Sequence, residues 1–206
     1  MPPPAIQKDL FKEKAKTWDS NVTADGLSAS VSSAIIKNVQ LNEKMTVMDF
    51  GAGTGLISSH IIPYINKITA VDISEAMLQK LQSKPEFKGK LEIICRDIID
   101  NPINKQFDLI VSAMALHHVE DTNKLIETFF SHLKSGAMIA LADLDKEDGT
   151  FHPEDIEGVF HDGFDRDSLQ NILESNGFSN INFCTAYTAN KNEKDYPVFL
   201  VVAKKS

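Results

Sequence analysis

The chain has 206 residues, 42% hydrophobic and 24% charged, the balance of one soluble globular domain with a substantial core. A net charge of -8 and the lack of local basic clusters argue against nucleic acid or an anionic membrane as partner, because phosphate recognition relies on Lys and Arg. No stretch approaches the roughly 20 apolar residues of a membrane span, which excludes a membrane helix.

In chain order, Met1-Pro2-Pro3-Pro4 lacks the basic and apolar regions of a signal peptide, so a cytoplasmic protein is the expectation. Apolar residues at helical spacing from Ile6 to Trp18 predict one helix, and Val31, Ile35, Ile36 and Val39 predict the buried face of a second over about Leu27 to Val39. Neither follows a strand, so residues 1–40 read as a helical cap on the domain of residues 41–206. Strands and helices then alternate. The pattern predicts strands at Thr46–Phe50, Lys67–Asp72, Leu91–Cys95, Phe107–Ser112 and Ala137–Ala142. Between them it predicts helices at Leu56–Ile65, Glu75–Ser83 (capped by Ser74) and Thr122–Leu133, the last closed by Lys134-Ser135-Gly136. Short, uniformly apolar strands separated by helices mean a parallel α/β sheet covered on both faces. After a helix over Arg166–Asn176, the stretches Ser179–Tyr187 and Val198–Ala203 have only a polar turn between them and must pair antiparallel. The acid- and His-rich segment 143–165 is long enough to read as a functional loop or lid. Cys95 and Cys184 lack zinc-type spacing and read as buried reduced thiols.

The stretch from Val47 to Ser58 organises the chain. An apolar run, an acid (Asp49), glycines at 51, 53 and 55 and a helical pattern together read as strand, tight turn and helix start. Such a turn brings a ligand close to the main chain, and the helix start aims free N–H groups at it. Two ligand classes compete. A dinucleotide turn has glycines spaced G-x-G-x-x-G, and here the third is one residue early. Asp49 would also repel a pyrophosphate and welcome a cation.

Asp49 to Gly55 resembles, without departure, the acid-x-Gly-x-Gly-x-Gly motif of the class I S-adenosylmethionine-dependent methyltransferases. The resemblance runs from about Trp18 to the C-terminus. It includes Ala70-Val71-Asp72-Ile73, Cys95-Arg96-Asp97-Ile98, Phe107–Ser112 followed by Leu116-His117-His118-Val119, and Leu133-Lys134-Ser135-Gly136. It implies a doubly wound, mostly parallel seven-stranded Rossmann-like sheet with an antiparallel C-terminal hairpin strand. It also implies S-adenosylmethionine as cofactor. Asp49 with the backbone of Gly51, Ala52, Gly53 and Gly55 would hold its methionine part, and Asp72 the ribose hydroxyls. Ile73 and Ile98 would flank the adenine, Asp97 would accept from its amino group, and Ser112 and Ala113 would line the path to the acceptor. Asp72 and Asp97 could instead cap helices, and both isoleucines could be core.

Transfer from a sulfonium is an in-line displacement in which the cofactor supplies the driving force and the protein aligns the nucleophile. The position after the fourth strand reads Ser112-Ala113-Met114-Ala115, unlike the motif of nucleic-acid amino-methyltransferases, so no nucleic-acid partner is expected. The Leu116–Val119 run is similar to small-molecule methyltransferases such as those of quinone biosynthesis, in which the equivalent His pair serves the loop structure. In the lid, Pro153 predicts a short helix with His152 at its start and His161 past its end. Both would border the substrate mouth, where either could act as a base. Trp18 and His117 are further candidates to touch substrate, and no metal is expected. The reading is a methyltransferase for a small-molecule acceptor, monomeric or homodimeric. A protein methyltransferase, a non-catalytic cofactor-binding protein and a nucleotide-dependent oxidoreductase are the alternatives.

Overall fold

A computed structural model of the chain describes residues 9, 11–153 and 157–206. Seven strands form one sheet: β1 (Thr46–Phe50), β2 (Lys67–Asp72), β3 (Leu91–Cys95), β4 (Phe107–Ala113), β5 (Leu133–Leu144), β6 (Phe178–Lys191) and β7 (Lys194–Lys205). Their spatial order is β3-β2-β1-β4-β5-β7-β6, parallel from β3 to β5, with β7 antiparallel to both β5 and β6. The chain winds outward in one direction from β1 and in the other from β4. The two strands therefore meet at the switch point, outside whose carboxyl ends open sheets bind ligands.

Alternation along each strand feeds two cores. Val47, Ile68, Ala70, Leu109 and Val111 face one way, toward Val31 and Ile35 of α1 (Val22–Asn38), Ile57 and Ile61 of α2 (Leu56–Ile61) and Leu78 and Leu81 of α3 (Glu75–Gln82). Met48, Val71, Ile110, Ile139 and Leu141 face the other way, toward Leu125 and Phe129 of α4 (Thr122–Ser131) and Leu169 and Leu173 of α5 (Arg166–Ser175). Each such side chain contributes about 1.5–3 kcal/mol by leaving water.

The differences from the sequence pattern have local causes. α1 starts one turn before Leu27 because the Asn21 side chain caps it, accepting from the N–H groups of Thr23 (3.0 Å) and Ala24 (3.2 Å). Ile36, placed by periodicity on its buried face, is exposed. α2 stops at Ile61 and tightens into a 3₁₀ turn, since Pro63 has no N–H to continue it. In place of one helix up to Trp18 there are two 3₁₀ turns, Lys14–Lys16 and Trp18–Ser20, and only Ala15 among their residues is buried. Ile6 and Leu10 of that expected helix lie outside the described residues. β5 begins before the glycine that was to close α4, because Lys134–Ala137 bulges out between the pairs Phe107–Leu133 and Leu109–Met138. Cys95 is exposed rather than buried.

The hairpin joining β6 and β7 turns on Asn192 and Glu193 alone, both left-handed at φ 52° and 61°, the pairing of a type I′ turn. A glutamate there carries a side chain in a conformation that favours glycine. Glu193→Gly is therefore expected to raise stability by about 0.5–1 kcal/mol in urea unfolding; a loss would mean that Glu193 has a compensating contact.

Candidate functional site

A cleft of about 980 Å³ opens at the carboxyl ends of β1, β2 and β4. The turn after β1 forms its floor. Gly51, Gly53 and Gly55 all have positive φ (66°, 54° and 79°), each with a different surrounding. A Cβ on Gly51 would lie 2.4 Å from Ala115 Cβ, and one on Gly55 2.6 Å from Leu81 Cδ1, so those two let elements pack. A Cβ on Gly53 would meet nothing within 4 Å, because it would project into the cleft. Gly53 is the glycine that clears room for a ligand.

The amides of this turn are mostly spent within the protein. Gly51 and Ala52 N–H donate to the Val71 carbonyl (2.9 and 3.1 Å), Gly55 N–H to Ala52 (2.8 Å) and Gly53 N–H to Asp72 Oδ2 (2.8 Å). These four amides are therefore not offered to a ligand. A phosphate-binding turn needs such donors, whereas this one offers carboxylates. Asp72 Oδ1 accepts from Ser74 N–H (2.8 Å), which holds the carboxylate at the cleft wall with two of its roughly four acceptor sites unused by these bonds. Burial raises its pKa. Asp49 is 2% exposed and accepts from Ser58 Oγ (2.5 Å). Burial, opposed by Ser58 and reinforced by Asp72, pushes its carboxyl up to about 7. A cation beside it would restore the charged form.

Next to Asp72, Ile73 is 51% exposed and lines the cleft, an apolar surface kept open. Asp97 also lines it, with Oδ1 accepting from Ile99 N–H (2.9 Å). That bond turns the chain so that Ile99 faces the cleft and Ile98 is buried in the core under α4. Ile98 is thus not at the site, and neither is Ser112. The latter is fully buried, with Oγ donating to the Phe50 carbonyl (2.9 Å) and tying β4 to β1. Ala113 does line the cleft, and Met114 beside it holds a left-handed φ of 54°, a strained backbone at the site's centre.

Beyond Met114 the cleft is walled by imidazoles. His117 and His118 sit on a 3₁₀ turn after β4, and His152 comes in from the segment after β5, with ring centroids 4.9 Å from His117 and 6.2 Å from His118. Asp143, at the end of β5, is fully buried and accepts from His117 Nδ1 (2.7 Å) and from the N–H groups of Leu116, His117 and Leu144. Burial lowers the pKa of His118 and takes that of His152 down to about 4, so both stay neutral near neutral pH. His161 is not part of this wall. Its Nε2 donates to the Val119 carbonyl (2.9 Å), and its ring packs on Phe164, pinning the lid to the loop after β4. The helix expected after Pro153 falls on residues 154–156, outside the described residues. Across the cleft, the N-terminal segment forms a strap. Thr54 Oγ1 donates to Asp19 and Ser74 Oγ to Asp9, and between these anchors Phe11 and Trp18 face the cleft. The sequence groups Asp143 with His117, His118, His152 and His161 only as a disfavoured metal set; the Asp143–His117 hydrogen bond and the two strap anchors are absent from the sequence reading. The one signal for Asp143 was an acid ending an otherwise apolar strand.

A family profile described as a methyltransferase domain matches residues 48–139. An uncharacterised methyltransferase of Schizosaccharomyces pombe is 31% identical over 70% of this chain and 57% of its own length. The malonyl-[acyl-carrier protein] O-methyltransferase of Priestia megaterium is 28% identical over 63% of this chain and 47% of its own. The chain thus spans about half the length of these two relatives. The structure is similar to magnesium protoporphyrin IX methyltransferase of Synechocystis, solved with S-adenosylhomocysteine (TM-score 0.71, 18% identity, covering 97% of this chain and 98% of that one). Residues 48–139, which hold the glycine turn and β2 to β4, thus match a methyltransferase domain, and the fold of the chain is similar to that of a solved methyltransferase. Among the described residues no helix is long and apolar enough to cross a membrane.

The glycines separate by role in a paired test. Gly51→Ala is expected to destabilise by about 2–4 kcal/mol, from left-handed strain plus the Ala115 clash, and Gly53→Ala by only about 1 kcal/mol. Urea titration measures both; equal costs would remove the distinction drawn from their surroundings.

Proposed function

We propose that this chain transfers the methyl group of S-adenosylmethionine to a small-molecule acceptor. One observation carries the choice of donor: a ligand turn in which the amides of Gly51, Ala52, Gly53 and Gly55 are bonded within the protein and whose open face is backed by Asp49, an arrangement better suited to a cation than to a pyrophosphate. In this reading Asp49 and the backbone of Gly51, Ala52 and Gly53 hold the methionine part, whose ammonium and sulfonium are positive. Gly55 shapes the turn from behind. Asp72, already oriented by Gly53 and Ser74, accepts the ribose hydroxyls through its remaining acceptor sites. Exposed Ile73 packs on the adenine, and Asp97 accepts from its amino group. The bound group supplies an electrophilic methyl on sulfur; the chain's task is to orient an acceptor beside Ala113 and exclude water.

A small acceptor is supported by the closure of the cleft's far half. The strap residues Phe11 and Trp18 cover one side and the His152 segment the other. Trp18, His117 and His152 are the residues placed to touch the acceptor. Residues 1–40 then act as the cap of the methyltransferase domain 41–206, with 143–165 as its lid.

Isothermal calorimetry tests the donor assignment. S-adenosylmethionine and S-adenosylhomocysteine are expected to bind at micromolar Kd, and Asp72→Ala to weaken both at least ~100-fold, the loss of charge-assisted hydrogen bonds and of the Gly53 anchor together. Binding of NADH in their place, or an unchanged Asp72→Ala, would reject it.

A further inference from the structure

His117 is 1% exposed, and its two ring nitrogens have opposite circumstances. Nδ1 lies 2.7 Å from a carboxylate that three backbone N–H groups also hold. An imidazole beside such an acceptor carries its proton on Nδ1, which leaves a lone pair on Nε2. That Nε2 is buried and has no hydrogen-bond partner, although the residue lines the cleft. A buried acceptor without a donor is uncommon and unfavourable. The nearby rings do not supply the donor: His118 commits Nδ1 to the Gly158 carbonyl, and His152 has an orphaned Nε2 of its own. What Nε2 lacks is an X–H group arriving through the cleft.

The geometry points to His117 as the general base of the reaction, taking a proton through Nε2 from an acceptor hydroxyl on an sp² carbon (a phenol or enol), with Asp143 as the positioning residue. This rests on the methyl-transfer reading above. In the step, the acceptor O–H proton passes to Nε2, and the oxygen's electron pair forms the bond to the methyl carbon. The carbon–sulfur bond breaks with its electrons left on the now neutral sulfur, and the proton later leaves the imidazolium for water. The hydroxyl class follows from acidity. A phenol, with a pKa of about 10, is acidic enough to pass its proton to an imidazole as the new bond forms; an aliphatic alcohol is too weak an acid. A carboxylate acceptor is already ionised and would leave Nε2 unsatisfied. A free amine has its nucleophilic pair available and needs no base before attack.

The groups around His117 assign the role to it rather than to its neighbours. His118 and His152 are both depressed, chiefly by burial, and neither contacts a carboxylate among the described residues. Lys14 acts on His118 and Lys191 on His152 from opposite rims, and these positive charges favour a developing phenolate over a second imidazolium. Asp143 is the carboxylate against the cluster, and it touches His117. The arrangement repeats the logic of a buried acid that fixes a base's tautomer.

The probe is para-nitrophenol, which is colourless when neutral and yellow as the phenolate. It is titrated into protein saturated with S-adenosylhomocysteine, at a pH below the probe's own pKa. Calorimetric binding of that product is measured first, so a failed cofactor pocket is seen separately from a failed base. The wild type is expected to develop a saturable phenolate band. His117→Gln should reduce the band at least tenfold with cofactor affinity unchanged. Asp143→Asn should weaken it and move the His117 proton to Nε2 in 15N imidazole spectra. No band in the wild type, or an equal band in His117→Gln, overturns the proposal.

Discussion

Asp49 ends β1 inside the protein, where the fold gives its carboxylate one hydrogen bond from Ser58 and almost no water. A charge in such a place is unfavourable without a partner, and its pKa of about 7 expresses that cost. The surrounding structure accords with this constraint. The glycine turn brings a ligand over the acid, Asp72 fastens the turn through Gly53, and four of the turn's amides are bonded within the protein. The site is short of one positive charge, and the proposed sulfonium donor would carry it.

Much of this was legible in the sequence because it is local. Alternating apolar strands and helices specify the sheet, and β1, β2 and β3 run as their residue patterns predict. The spacing of Asp49 and the three glycines marks the turn, since positive φ at Gly51, Gly53 and Gly55 is a demand on residue type. The different surroundings of the glycines were not legible. Ala115 and Leu81 lie far along the chain, and only the fold brings them against Gly51 and Gly55.

The misplaced residues fail for related reasons. Ile98 and Ile99 are adjacent and equally apolar, and an Asp97 side-chain bond to one amide decides which faces the ligand. His161 and His152 look alike within one acidic loop. The Val119 carbonyl captures the first, and packing against His117 draws in the second. Asp143 and His117 are 26 residues apart and meet because β5 lies beside β4. The strap depends on two side-chain bonds, Asp19 to Thr54 and Asp9 to Ser74, so its 3₁₀ turns are shaped by anchoring rather than by helical periodicity. For His161, Asp143 and the strap a tertiary hydrogen bond outweighs a local preference, for His152 ring packing does, and at Ile98 a bond between near neighbours decides.

The buried charge of Asp49 can be measured through the protons it exchanges. A carboxyl raised to about 7 is largely protonated at pH 6 and must ionise to meet a cation, so binding releases protons and affinity falls as pH drops below 7. Calorimetry of S-adenosylmethionine binding in buffers of differing ionisation enthalpy reads this release directly. The account predicts a release approaching one proton at pH 6 that vanishes toward pH 8. Ser58→Ala, which removes the bond favouring the charged form, should move the transition to higher pH. No proton release at pH 6, with affinity flat across the range, would contradict it.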